Sequence, residues 1–356
     1  MPVPFILAGI AGIAGAAGLV KGGKAVSDNS KAKDLINQAQ TKYTKAEKEL
    51  ESQRKITSED LDVLGEVKLN VWSKQMGKFV ELFHHFKKVN VEGNVNTSNH
   101  LKASETGNLK KMQVASIKAT EIMKGGVASL GAGALAGVAT YGGAMMFASA
   151  STGTAIATLS GAAATNATLA WFGGGSLAAG GMGMAGGTMV LGGIVAGPVL
   201  AAAGFIMAAK AEENLAKAEE TYSEAKKAAE QMKTMTSVLQ GISELSNSYK
   251  EFILNYAQKY LPVLMDLESV YQESYKVQEH YFRNKIRKMF GMQIKIDYRK
   301  LTQKQQKTLH ISWLMAQILY KVLAAPLLDK EGNIDGNAEN ILDEAKEAGN
   351  RIPTEV

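Results

Sequence analysis

Side chains able to perform acid–base or metal chemistry are few in this sequence and stand apart from one another. The 356 residues include five histidines and no cysteine, which excludes disulfides, cysteine-based zinc sites and thiolate nucleophiles. His84 and His85 are adjacent, whereas a helix that presents two imidazoles to one metal ion spaces them four residues apart. We therefore expect no metal site and no bound cofactor.

Motifs for phosphate binding and nucleophilic catalysis are also missing. Residues 173–176 read Gly-Gly-Gly-Ser, but a phosphate-binding loop needs a lysine that reaches the phosphate, and no lysine lies between 125 and 209. The dinucleotide-binding pattern requires a preceding strand and a later acidic residue, and the sequence offers neither here. No Ser–His–Asp arrangement can be assigned. We therefore expect that the protein is not an enzyme.

A stretch without any Asp, Glu, Lys, Arg or His, 125–209, dominates the organisation of the chain. These 85 residues hold 21 of the 36 glycines, although charged residues make up 21% of the whole sequence. About 20 apolar residues cross the hydrocarbon core of a bilayer, so this stretch, the apolar block, is long enough for two or three crossings. We expect spans at about 127–150 and 187–209. Whether 151–187 spans, re-enters or lines a lumen stays open.

Small residues recur at every fourth position along four rows of the apolar block. Such rows let helix backbones approach each other closely, which is a common way for helices to associate in lipid. Trp171 and Phe172 suit the headgroup level as interfacial anchors. The expected positions of insertion and helix packing are Gly125, Ser129, Gly133, Gly137, Gly153, Gly161, Gly183, Gly187, Gly193 and Gly197.

Polar helical arms flank the apolar block on both sides. The chain has six prolines and abundant Ala, Glu, Lys and Gln, so helix is favoured almost throughout. In each arm, apolar residues spaced alternately three and four apart form a seam typical of coiled coils. The seams are Ile36, Ala39, Tyr43, Ala46 and Leu50 in the first arm, and Leu215, Ala218, Tyr222, Ala225, Ala229 and Met232 in the second.

Five segments follow from these patterns. They are a glycine-rich apolar helix at 1–23, a first helical arm at 24–124, the apolar block at 125–209, a second helical arm at 210–290, and a basic then acidic helical segment at 291–356. In the first arm, Thr57 begins a run typical of a helix restart. In the second, Pro262 is expected to bend or interrupt the helix. The aromatic seam at 72–86 needs a partner surface, which the aromatic part of the second arm would supply.

Nine Lys or Arg residues against one acid give 281–308 a local charge of +8, above the +6 of the whole chain. Cations near an apolar insert favour anionic lipid headgroups by about 1 kcal/mol each. A solvated helix face and nucleic-acid binding are the alternatives, and we do not expect nucleic acid as a partner. The candidate headgroup-binding cations are Arg283, Lys285, Arg287, Lys288, Arg299 and Lys300.

Two long helical arms around an uncharged, glycine-rich hairpin resemble the cytolysin A-like α-helical pore-forming toxins, which include the three-component enterotoxins of Bacillus. The resemblance covers roughly residues 1–290 and concerns architecture and composition. It implies an all-α, elongated bundle of long coiled-coil helices that hides the apolar hairpin and releases it to enter a bilayer and oligomerise. Apolipoprotein L-type proteins are similar to a lesser degree, in that an apolar hairpin lies between amphipathic helices.

These observations predict a membrane-inserting, oligomerising protein that forms pores or permeabilises membranes, either a toxin or an intracellular defence effector. Its expected partners are a lipid bilayer with anionic headgroups, further copies of the chain and a helical protein. It would associate with membranes from a soluble precursor, without a cleaved signal peptide, because no cation precedes Phe5. The alternatives are a constitutive two-span membrane scaffold with coiled-coil arms and a soluble helical bundle with a Gly/Ala-rich core.

Overall fold

The computed structural model of the chain describes residues 23–89, 106–126, 134–141, 211–279, 295–329 and 333–352. Most of these residues are helical, which confirms the all-α prediction. The elements are α1 (Gly23–Val71), a π-helical turn (Trp72–Met76), α2 (Gly77–Phe83), β1 (Phe86–Lys87), α3 (Thr106–Gly125), α4 (Ala134–Tyr141), α5 (Ala211–Glu279), β2 (Ile296–Asp297), a 3-10 turn (Tyr298–Lys300), α6 (Gln303–Ala324) and α7 (Ala338–Arg351).

The chain divides into two compact units. The first contains Met1–Thr57 and Gly192–Gly241, and the second contains Ser58–Leu191 and Ile242–Val356. Helices α1 and α5 contribute residues to both units.

The first unit buries the small residues of the two predicted seams. The buried seam positions are Ala39, Ala46 and Leu50 on α1 and Ala218, Ala225, Ala229 and Met232 on α5. Leu50 and Met232 belong to one apolar cluster, with Tyr43 at its edge. Lys42 adds a cation–π contact, because its Nζ lies 5.8 Å from the centre of the Tyr222 ring. The three–four spacing thus identified the buried faces of both helices.

The predicted helix restart at Thr57 is wrong, because α1 runs without a break through this position. The Thr57 hydroxyl caps no helix. It donates a hydrogen bond to the Leu239 carbonyl of α5 at 2.9 Å and lies 3.3 Å from the Gln53 amide nitrogen. A short polar side chain on a buried helix face therefore links two helices here, where the sequence pattern resembled a cap.

Aromatic side chains fill the centre of the second unit. The Phe79 ring lies 6.4 Å from Tyr260 of α5 and 6.1 Å from Trp313 of α6, measured between centroids. Trp313 also stacks on Phe83 at 5.0 Å. The predicted pairing between the seam at 72–86 and the aromatic part of α5 is confirmed, and α6 joins it as a third helix.

Helix α5 continues through Pro262, so the predicted interruption does not occur. Proline removes one N–H donor from the helix interior, which costs about 3 kcal/mol in an exposed helix. Here the neighbours Tyr260, Val263 and Leu264 are buried. Their packing offsets the lost hydrogen bond.

Two short elements close the second unit. Strands β1 and β2 pair in parallel, with Phe86 opposite Ile296 and Lys87 opposite Asp297. The sequence pattern did not predict this contact.

Helix α3 ends where the apolar block begins, and Gly126 follows it with a φ of 86°. This left-handed conformation suits a glycine after a helix C-terminus.

Candidate functional site

Helix α4 is the described piece of the apolar block that packs into the second unit. It spans Ala134–Tyr141 and includes Gly137, one of the predicted packing positions, which is buried. An isolated helix of two turns is unstable in water. Contacts with the rest of the unit must therefore hold it in place.

Gly65 of α1 provides the closest of these contacts. A Cβ atom added at Gly65 would lie 2.1 Å from the carbonyl oxygen of Leu135 in α4. Carbon and oxygen atoms do not approach so closely without a bond, so α4 fits this position only because α1 has no side chain there. The backbones of the two helices are in direct contact.

Asp62, one turn before Gly65, binds the N-terminal end of α4. Its carboxylate accepts a hydrogen bond from the Ala136 N–H at 3.1 Å. The first N–H groups of a helix have no acceptor within the helix, and a negative charge near them is favourable because of the helix dipole. Burial raises the pKa of the Asp62 carboxyl, and the hydrogen bond from Ala136 opposes that rise.

Lys68, one turn after Gly65, binds the C-terminal end of α4. Its side chain is fully buried, and Nζ donates to the Ala139 carbonyl at 2.9 Å and to the Ala325 carbonyl at 3.2 Å. Ala325 directly follows α6, so both acceptors lie at helix C-termini, where a cation is favourable. Nζ also lies 5.5 Å from the centre of the Tyr249 ring.

Burial without a carboxylate partner makes Lys68 unusual. Buried lysines normally pair with an acid, but no such ion pair exists for Lys68 among the described residues. Burial lowers the pKa of Lys68 to about 7, because the uncharged amine loses less on leaving water than the ammonium does. Its protonation therefore changes near neutral pH.

The chain that follows α6 completes the hold on α4. The Thr140 carbonyl accepts hydrogen bonds from the N–H groups of Leu327 at 2.5 Å and Leu328 at 3.4 Å. The Thr140 hydroxyl donates back to the Ala136 carbonyl at 2.9 Å. The free carbonyls at the C-terminal end of α4 thus find partners in Lys68 and in this segment.

Asp62, Gly65 and Lys68 recur every third position along one face of α1, and we call these three residues the α1 groove. The acid lies at the N-terminal end of α4 and the lysine at its C-terminal end, so α4 runs in the same direction as α1. The Asp62 carboxylate matches the sign of the helix dipole at the N-terminal end of α4, a contact that contributes about 0.3–2 kcal/mol, and Lys68 supplies N–H donors to the carbonyls at the C-terminal end. The groove recognises a short helix by backbone shape and polarity.

Of the site residues that the sequence predicted, the structure describes four. Gly125 is exposed at the end of α3, and Gly137 is the one that lies on the helix held by the groove. Arg299 and Lys300 are exposed in the 3-10 turn. The remaining positions lie outside the described residues; they are Ser129, Gly133, Gly153, Gly161, Trp171, Phe172, Gly183, Gly187, Gly193, Gly197, Arg283, Lys285, Arg287 and Lys288.

Arg299 is already engaged by an acid. Its Nε and Nη2 atoms donate to Asp297 at 3.2 and 3.1 Å, and Lys88 Nζ lies 3.7 Å from the same carboxylate. The hydrogen bond from Arg299 and the charges of both cations lower the pKa of Asp297 to about 2. Asp297 thus offsets part of the positive charge predicted for lipid headgroups.

None of the α1 groove residues was singled out by the sequence patterns. One clue was present: the buried aromatic seam begins at Trp72, and stepping back by four and then three positions reaches Lys68 and Gly65. A lysine in phase with a buried stripe predicts an unusual environment. The partners are backbone atoms of distant residues, and no side-chain pattern reveals those.

Within the described part of the chain, no three His, Asp or Glu residues are grouped as metal ligands would be. In the same part, no helix combines the length and the apolar character that crossing a membrane requires. No family model, curated protein or solved structure matches the chain.

Proposed function

We propose that this chain is a membrane-inserting helical protein that permeabilises a bilayer and stores the beginning of its apolar block in the α1 groove. The observation that carries the proposal is the combination of an uncharged, glycine-rich stretch of 85 residues with the way α4 is held. Its backbone contacts Gly65, and its two ends bind side chains of α1.

The contacts of α4 suit storage better than permanent anchoring. Small residues give a helix a flat surface that packs against another helix in protein or in lipid. The polar contacts of Asp62 and Lys68 involve the α4 backbone, so a longer helix that continued through 134–141 would satisfy the same groups internally. The α4 backbone can therefore keep its hydrogen bonds when it moves out of the α1 groove.

The arms and the basic segment supply the remaining parts of the proposal. The buried seams of α1 and α5 would form a coiled-coil stalk around which copies of the chain assemble, as in the cytolysin A-like architecture. Lys300 and the cations at 283–288 would bind anionic headgroups, at about 1 kcal/mol per charge. The outcome is an oligomer whose glycine rows pack within the bilayer.

Dye release from lipid vesicles tests this function. We expect the full chain to release dye from vesicles that contain phosphatidylglycerol, and less from purely zwitterionic vesicles. Replacing Gly193 and Gly197 together by Leu should abolish most of the leakage, because leucine closes the flat row between helices. We chose Gly193 and Gly197 in place of Gly137, because Gly137 is buried in the second unit and a leucine there would disturb the fold.

A matched substitution provides the control for that experiment. Gly336→Leu lies outside the apolar block, at a position where an added Cβ would meet no atom within 4 Å, so it should leak like the wild type. Failure of the wild-type chain to release dye from anionic vesicles contradicts the proposal. Equal leakage by the Gly193/Gly197 variant contradicts the role of the glycine rows.

The second candidate function is that of a scaffold without membrane activity. In this case the chain would be a helical bundle with the Gly/Ala-rich block as its permanent core. The close contact between Gly65 and Leu135 favours it, because helices with small residues also pack tightly in water. Protease digestion with and without vesicles separates the two. Protection of 125–209 that appears only with vesicles supports insertion, and vesicle-independent protection supports the bundle.

A further inference from the structure

We propose that Asp62 and Lys68 act as a hydrogen-bonding latch on α4, and that acidification through neutral pH opens it at Lys68. The inference deepens the proposed function, since it names what would release the apolar block.

The latch binds α4 at the two ends where a short helix is weakest. Asp62 accepts from the Ala136 N–H, and Lys68 donates to the Ala139 carbonyl. These atoms belong to the unpaired groups of a helix terminus. Lys68 is fully buried, so water does not replace its contact while α4 is seated, whereas Asp62 is half-buried.

Lys68 can keep its contacts as a neutral amine. The amine has two N–H groups, which match the two carbonyls at Ala139 and Ala325. Protonation adds a third N–H and a full charge in a site from which water is excluded. In the open state, the ammonium is hydrated and the charge costs nothing.

Within the described part of the chain, few groups around Lys68 could compensate a charge. From α5, Tyr249 presents its ring, and burial, with a smaller contribution from the charge of Asp335, raises the pKa of that tyrosine. From α4, the side chains at 135–140 include no titratable group, and the segment after α6 offers a carbonyl. From α1 itself, Asp62 has its own partner in Ala136.

The direction of the pH effect follows from the difference between the closed and open states. The pKa of Lys68 is about 7 when buried and 10.5 when exposed, so the open state binds more protons at any pH between these values. Lowering the pH therefore favours opening, and the ratio of open to closed α4 should rise about tenfold from pH 8 to pH 6. Asp62 acts in the opposite sense, because its raised pKa favours the protonated closed form.

Thiol labelling of the full chain, without lipid, measures the opening. The sequence has no cysteine, so Val138→Cys places a single reporter on α4, where Val138 is 4% exposed. Val277→Cys, at a position of α5 that is 65% exposed, is the matched reference for an accessible cysteine on a helix. The labelling rate of the first divided by that of the second cancels the pH dependence of the thiol reaction.

We expect this ratio to rise about tenfold from pH 8 to pH 6. Adding Lys68→Met should remove the rise, whereas adding Asp62→Asn should increase the ratio at each pH and keep the rise. If Lys68→Met does not fold, Lys68→Arg serves instead, because a guanidinium does not titrate in this range and the ratio should again be flat. A flat ratio with Lys68 present, or an unchanged rise without it, overturns the inference.

The outcome is independent of membrane activity. A pH-dependent ratio in a chain that fails to release dye supports the latch and contradicts the proposed function. A flat ratio in a chain that does release dye contradicts the latch and leaves the proposed function in place.

Discussion

At the scale of single residues, the α1 groove depends on one absent side chain, one hydrogen-bond acceptor and one hydrogen-bond donor. Gly65 sets the distance between α1 and α4, and the acceptor of Asp62 and the N–H donors of Lys68 set the direction in which α4 lies. A helix seated in the reverse direction would place its N–H groups at the lysine and its carbonyls at the aspartate. Three residues therefore encode both the position and the polarity of the seated helix.

Gly65→Ala should destabilise the second unit by about 1–3 kcal/mol, because the new Cβ forces the α4 backbone to move. Gly77→Ala is the matched control, since an added Cβ there would lie 3.7 Å from the Trp72 carbonyl, an ordinary contact. Alanine favours helix over glycine, so this variant should be as stable as the wild type or up to about 1 kcal/mol more stable. Urea unfolding of both variants checks the difference. Equal stabilities would contradict the close contact with Leu135.

At the scale of elements, α5 is the surface on which α7 docks. The Tyr249 hydroxyl donates to the carbonyl of Ala338, the first residue of α7, at 2.7 Å. Two turns along α5, the ring of Tyr256 lies against Gly349, where an added Cβ would come within 2.8 Å of it. Both ends of α7 thus rest on tyrosines of one helix face. An ion pair between Lys321 and Glu344 ties α7 to α6 as well.

Tyr249→Phe and Tyr256→Phe should change the free energy of unfolding by different amounts or in opposite directions, although both remove a buried hydroxyl. The first leaves the Ala338 carbonyl without its donor and should cost about 1–2 kcal/mol. The buried Tyr256 hydroxyl has no hydrogen-bond partner among the residues that the structure describes, so its removal should change stability by less than about 0.5 kcal/mol or increase it. Thermal unfolding of the two variants tests the prediction. A larger loss for Tyr256→Phe would show that its hydroxyl has a partner after all.

Helices and their buried faces were predictable from the sequence, whereas the contacts across the fold were not. The spacing of Ala39, Ala46 and Ala225 identified a seam because periodicity is a local property of the chain. The pattern at Thr57 misled for the same reason: a cap and an interhelical hydrogen bond use the same side chain. The pairing of β1 with β2 and the burial of Lys68 depend on residues far along the chain. Local patterns carry no information about them.

At the scale of the whole molecule, the two units have cores of different composition. The first is built from alanines with a few larger side chains, such as Leu50 and Met232. The second is built around Trp72, Phe79 and Tyr260, all fully buried. Burial of apolar surface contributes about 25 cal/mol per Å², and an alanine buries far less surface than a tryptophan. The first core is therefore the weaker.

Hydrogen exchange followed by mass spectrometry should show this difference along single helices. Peptides from 30–57 and 215–241 should exchange through openings of lower free energy than peptides from 60–83 and 245–270. Because α1 and α5 each contribute one peptide to either group, each helix serves as its own control. Equal protection along both helices would mean that they open as one cooperative element.

The separation along the chain between Lys68 and its acceptors also fixes the order in which the α1 groove can be completed during synthesis. Ala139 follows Lys68 by 71 residues, but Ala325 follows it by 257. At a translation rate of roughly 5–20 residues per second, the lysine waits on the order of tens of seconds for its second acceptor. The whole apolar block is synthesised during that interval, before the residues of α5 and α6. The α4 segment therefore exists before its last partner in the α1 groove, the Ala325 carbonyl, has been synthesised.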